Sequence, residues 1–67
     1  MIQITVNGEP RALDAGSTVA ALLGQMNLAG KRVAVEKNGE IVPKGRHAEA
    51  LLAPGDALEI VVAVGGG

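Results

Sequence analysis

No cysteine occurs in the chain, and histidine occurs once, at His47. Neither a disulfide nor a Cys/His zinc cluster can therefore staple the fold. With 67 residues, the chain has room for one small domain. Domains of this size bury only about 60% of the surface that the unfolded chain exposes, and small scaffolds usually lean on disulfides or metals. Here aliphatic packing must suffice. The composition meets that demand: 48% of residues are apolar and none is aromatic, so Val, Leu, Ile, Ala and Met fill the interior.

The apolar pattern fixes the elements. Ile2, Ile4 and Val6 alternate with Gln3 and Thr5, the period of a half-buried strand. Asn7-Gly8 follows, a strong hairpin signal because both residues accept positive φ. Glu9 to Leu13 is the returning strand. Pro10 cannot donate to a ladder, which places that strand at a sheet edge. Asp14 to Thr18 is a loop ending in helix-capping residues, with Ser17 and Thr18 as candidates. Val19, Leu22, Leu23 and Met26 keep i, i+3, i+4, i+7 spacing and predict a short helix. Val33 to Glu36 alternates as a third strand. Asn38-Gly39 turns the chain into a short fourth strand at Ile41-Val42, closed by Pro43. A helical turn is expected within 44–52, around Ala48, Leu51 and Leu52. Pro54-Gly55-Asp56 is a tight turn. Ala57 to Val64 is the longest β-prone run, with Leu58, Ile60 and Val62 assigned to the core. This ββαβββ order predicts an α+β fold, a mixed sheet packed against one main helix. Residues 1–64 form the domain and residues 65–67 a flexible C-terminal glycine tail.

Several function classes are excluded or disfavoured. Six basic residues balance seven acidic ones without a basic stripe or an aromatic stacking platform, so nucleic acid is not expected as a partner. No apolar stretch is long enough for a bilayer and the start does not read as a signal peptide. A soluble, cytoplasmic protein is expected. Side-chain catalysis is not: there is no cysteine nucleophile, His47 reads as a plain surface residue, and Asp14, Glu36, Glu40 and Glu49 form no evident pair. A chain this small does not readily enclose a pocket of about 300–1,000 Å³. No catalytic side chain, no metal site and no bound cofactor is expected, and no phosphate-binding glycine motif occurs.

What remains is the end of the chain, Gly65-Gly66-Gly67. Taken alone it reads equally well as a frayed terminus. It nevertheless follows directly on the last strand and presents a glycyl carboxylate. Three residues without side chains reach about 10 Å and can thread a channel that bulkier residues would block. A terminal carboxyl ordinarily titrates at about 3.3–3.7, so near neutral pH it is ionised and a poor electrophile. It reacts only if a partner activates it, for example by adenylation.

These pieces together resemble the sulfur carrier proteins of thiamine biosynthesis, the ThiS family of ubiquitin-like β-grasp proteins. The resemblance runs through Asn7-Gly8-Glu9, the segment Thr18 to Leu23, Val33-Ala34-Val35, Asn38 to Pro43, the Pro54-Gly55-Asp56 turn and Val64-Gly65-Gly66-Gly67. It implies that a ThiF-like adenylyltransferase, using ATP and magnesium, adenylates Gly67. Sulfur from a cysteine desulfurase then gives a thiocarboxylate. A ThiG-like thiazole synthase consumes the sulfur for the thiazole of thiamine. Gly65 and Gly66 thread the partner's active site. Many family members carry a larger small residue at the place of Gly65.

Docking must use the body of the domain. Val61 and Ala63, with Val64, fall on or beside the outer face of the last strand, close to the tail. Either a loop covers them or they form a docking surface. The free chain is expected to be a monomer. Rival readings are the small subunit of molybdopterin synthase, a ubiquitin-like protein modifier, and a β-grasp binding module with incidental glycines.

Overall fold

The computed structural model describes residues 1–63. The elements follow in the order β1 (Ile2–Val6), β2 (Glu9–Leu13), α1 (Val19–Gln25), β3 (Val33–Lys37), β4 (Glu40–Ile41), a 3₁₀ turn (Lys44–Arg46) and β5 (Ala57–Val62). The strands form one five-stranded sheet in the order β2-β1-β5-β3-β4. β1 and β5 run parallel at its centre, and the other pairs are antiparallel. The sheet is therefore mixed, with one main helix, as the element pattern predicts. β2 lies at an edge, where Pro10 costs no ladder bond.

Both Asn-Gly turns adopt the left-handed backbone that selects them. Asn7 and Gly8 have φ of 52° and 85°, and Asn38 and Gly39 have 53° and 87°. Such paired positive values match the twist of the strands they join.

Helix α1 begins at Thr18, whose Oγ1 accepts the amide of Ala21 at 3.1 Å. Ser17 does not cap it; its hydroxyl donates to the Asp14 carbonyl at 2.7 Å. The first two helical amides are also satisfied. Val19 donates to Ala50 O and Ala20 to His47 O. The 43–52 segment thus closes the start of the helix, where a buried amide without a partner would be costly.

The core lies between the helix and one sheet face. Val19, Leu22 and Leu23 of α1 meet Ile4, Val6, Leu13, Val35, Leu58 and Ile60, with Leu52 alongside. Each fully buried Leu, Ile or Val contributes about 1.5–3 kcal/mol. These residues share one face because strand side chains alternate.

Four expectations need correction. Val62 shares parity with Leu58 and Ile60, yet it is 39% exposed, because the short helix does not reach that end of the sheet. β5 ends at Val62, so Ala63 lies outside the strand, and the expected Val64 end lies outside the described residues. The 44–52 segment holds only the Lys44–Arg46 turn, and Leu51 is exposed while bridging to Thr18. His47 is not a surface residue: it is buried, with Nε2 3.1 Å from Val42 O. It stands between Arg46 and Glu49, in a stretch with no apolar period to mark a loop that folds inward.

Candidate functional site

The last strand is the platform for anything the chain end does, and the hairpin asparagines hold it. β1 pairs with β5 only at Thr5–Ala57 and Val6–Leu58 before turning away at Asn7. There the Asn7 side chain takes over the ladder. Its Nδ2 donates to Ile60 O at 3.1 Å and its Oδ1 accepts Ile60 N at 2.8 Å. The Asn7 amide adds a bond to Leu58 O at 2.8 Å. On the other flank, Asn38 Oδ1 accepts Ala57 N at 2.9 Å, and the Asn38 amide donates to Ala57 O at 2.8 Å. The sequence marks both residues as turn formers. Their grip on β5 leaves no signal in the spacing, because it joins positions far apart in the chain.

Asp56 secures the entry to β5. Its carboxylate accepts Ala53 N at 2.8 Å and Asn38 Nδ2 at 3.0 Å. Partial burial would raise its pKa. The Ala53 amide, the Asn38 carboxamide and the charge of Lys37 outweigh that effect, and the net shift is downward from 3.8.

At the far end, Ala63 N donates to Arg32 O at 2.9 Å, so the backbone is fixed to the last described residue. Val61 is 64% exposed, and Ala63 is exposed as well. Neither a helix nor a loop among the described residues covers them. Val61 lies across from Ala34, also exposed. One step along the same face, Glu36 faces Glu59. The two carboxylates therefore stand opposite each other across strands, a pairing that the sequence reading, which weighed Glu36 only against Asp14, Glu40 and Glu49, did not consider. Both are exposed and stand on an open sheet face, not in a cleft. Val64, Gly65, Gly66 and Gly67 lie outside the described residues.

No group of three or more His, Cys, Asp or Glu could hold a metal among the described residues. No helix among them is long and apolar enough to cross a membrane. Two open depressions mark the surface. One of about 350 Å³ lies by the β1–β2 hairpin, between Asn7, Arg11 and Met26. The other, of about 180 Å³, lies between α1 and the 3₁₀ turn.

The ThiS family model matches residues 4–67. The chain belongs to the ThiS family. The sulfur carrier protein ThiS of Bacillus subtilis is 46% identical over 50 residues, covering 75% of this chain and 76% of that protein. The crystal structure of a thiamine biosynthesis protein (ThiS) from Geobacter metallireducens superimposes with a TM-score of 0.81. It is 33% identical, and the match covers 98% of this chain and all of that one. The ubiquitin-like β-grasp expected from the sequence is thus the fold. A thiazole synthase of Paramagnetospirillum magneticum is 47% identical over 66 residues. The chain spans about a fifth of the length of that protein, and of a second thiazole synthase from Magnetococcus marinus.

Proposed function

We propose that this ThiS-family chain carries sulfur as a thiocarboxylate on Gly67 and delivers it to a thiazole synthase. The observation that supports this reading is the match of the ThiS family model through Gly67, with Ala63, the last described residue, bonded to Arg32 just past the end of β5. A carboxylate at Gly67 attacks the α-phosphorus of magnesium-bound ATP on a ThiF-like partner, and pyrophosphate leaves. The resulting acyl-adenylate makes the carboxyl carbon electrophilic. The terminal sulfur of a persulfide formed by a cysteine desulfurase attacks that carbon and AMP leaves; a thiol then cleaves the acyl disulfide, becoming a disulfide itself and releasing the thiocarboxylate. The chain itself is a co-substrate and performs no catalysis.

Gly66 and Gly65 fit this role because any Cβ would widen the thread entering a partner's active site. Val61 and Ala63, with Val64, supply the docking contact beside it. The likeness to thiazole synthases supports a ThiG-like acceptor. The partners act in the cytoplasm on a free monomer.

Intact-mass measurement tests the reading. The protein is incubated with a ThiF-like enzyme, a cysteine desulfurase, cysteine and Mg-ATP. The expected product has one oxygen exchanged for sulfur, localised to the C-terminal peptide. An unmodified acid from an active partner set overturns the proposal. Higher-mass conjugates on target lysines would instead indicate a protein modifier.

A further inference from the structure

The smaller depression lies on the α1 side of the sheet, away from Val61. Val33 in its wall shares a face with Val35, Ile60 and Val62, whereas Ala34 and Val61 stand on the other face. Leu23 and Leu28 complete the apolar wall, and Lys31, Lys44 and His47 surround it. Both lysines are exposed, and no acidic side chain among the described residues lines the depression.

Backbone bonds hold the rim. Leu28 N donates to Leu23 O at 2.8 Å and Lys31 N to Leu28 O at 3.0 Å, which fixes the loop bearing Lys31. His47 N donates to Lys44 O at 3.2 Å, and His47 O accepts Ala20 N at 2.9 Å, which ties the 3₁₀ turn to the helix. The depression is thus formed before anything enters it, and such preorganisation lowers the cost of binding. His47 adds an independent sign. It is only 8% exposed, and its Nε2 faces Val42 O at 3.1 Å. A carbonyl only accepts, so Nε2 carries a proton. Nδ1 has no hydrogen-bond partner among the described residues, yet it is not sealed in the interior, and the ring lines the depression. In the neutral ring this nitrogen is an acceptor left open to whatever enters.

Size and charge select the occupant. A volume of about 180 Å³ lies below the range of about 300–1,000 Å³ usual for small-molecule sites, and suits a single aliphatic side chain. Two ammonium groups at the mouth call for carboxylates beside that side chain. A backbone N–H next to it would meet Nδ1. A second copy of the chain could offer Ile41 beside Glu40, both exposed, but that contact joins unlike surfaces and would run on into filaments.

We propose that the depression is a docking site for a partner protein, which inserts one leucine- or methionine-type side chain flanked by aspartate or glutamate. The site is separate from the outer sheet face that carries Val61, Glu36 and Glu59, and opposite to it in charge. The chain can therefore hold two partners of unlike surface at once, one reading the acids on the sheet and the other the lysines beside the helix. The opposite signs keep each partner from the other's place. The site depends on the described fold alone and not on the chemistry of Gly67.

Methyl NMR on the full chain tests this with the peptide acetyl-Gly-Asp-Leu-Glu-Gly-amide. Titration should shift the Leu23, Leu28 and Val33 methyls to saturation and leave the Val61 methyls unmoved. Serine in place of the peptide's leucine, or lysine in place of both its acids, should abolish the shifts. Lys31→Gln combined with Lys44→Gln should weaken binding about two- to thirtyfold, the combined range for two exposed ion pairs, and arginine at both positions should restore it. Val61→Asp should bind the peptide like wild type. Equal affinity in wild type and the double glutamine variant would overturn the proposal, as would an absence of shifts up to the peptide's solubility limit. Shifts that grow with the concentration of the chain alone would show a second copy in the depression. Shifts with phosphatidylserine vesicles but not with the peptide would show a lipid surface. Either result would overturn it as well.

Discussion

The carboxamide of Asn7 holds the backbone of Ile60 by both its oxygen and its nitrogen, at 2.8 and 3.1 Å. A residue whose φ of 52° serves a hairpin thereby also anchors β5, the last strand. The two duties separate by mutation. Asn7→Gly keeps the positive φ and loses two hydrogen bonds, and should cost about 1–2 kcal/mol. Asn7→Ala adds left-handed strain of about 1–2 kcal/mol. Asn7→Asp keeps the acceptor for Ile60 N but sets a carboxylate oxygen against Ile60 O, so it should fall no closer to wild type than the glycine variant. Urea titration reads all three. Equal stability of Asn7→Gly and wild type would show that the grip on Ile60 contributes nothing.

Asp56 gives the fold an acid-sensitive element. Folding lowers its pKa below 3.8, so the unfolded chain binds the proton more tightly than the folded one. Its contribution is complete above the unfolded value. It is lost as pH falls through the lower folded value. Thermal melts from neutral pH down to about pH 2 should show that loss. In Asp56→Asn the stability at neutral pH should be lower and the fall below pH 3.8 shallower. A variant whose pH profile matches wild type would remove Asp56 from the acid response.

Local features were legible in the sequence, and long-range ones were not. The two Asn-Gly turns, the edge strand with Pro10 and the Val19–Leu22–Leu23 face follow from rules acting over a few residues. The burial of His47 does not. It depends on the 43–52 loop folding across the helix start, where Ala50 O and His47 O receive the first helical amides. Val62 misled for a related reason. Alternation predicts its face correctly, but only the length of α1 determines whether anything covers that end. At the candidate site, the exposed position of Val61 follows from alternation along β5. The Glu36–Glu59 pair needs the β3–β5 register, which no single segment encodes.

His47 should act on stability rather than on chemistry. Its ring fills buried space and satisfies Val42 O. Replacement by alanine leaves that carbonyl without its partner and opens a small cavity, at a cost of about 2–3 kcal/mol. His47→Gln retains a donor and should recover part of the loss. Sulfur loading of whatever fraction remains folded should be unaffected in both variants. A His47→Ala protein of wild-type stability that fails to load would instead make the imidazole functional.

Val61 tests docking separately from the chemistry of the tail. It is 64% exposed, opposite Ala34 and one step from the Glu36–Glu59 pair. Truncation or charge at an exposed strand position perturbs stability by about 0.5 kcal/mol at most. Removing a central apolar anchor from an interface costs about 2 kcal/mol or more, which is roughly a thirtyfold loss of affinity. Val61→Asp should therefore melt like wild type, yet raise the KM of a ThiF-like enzyme for the chain by about tenfold or more. Its kcat should change little, because the proposed reactive segment is unaltered. The added charge also joins two carboxylates already on that face, so a partner that reads the face electrostatically should respond more to Val61→Asp than to Val61→Ala. If both variants are adenylated with wild-type KM, Val61 lies outside the contact and docking must run through another face of the sheet.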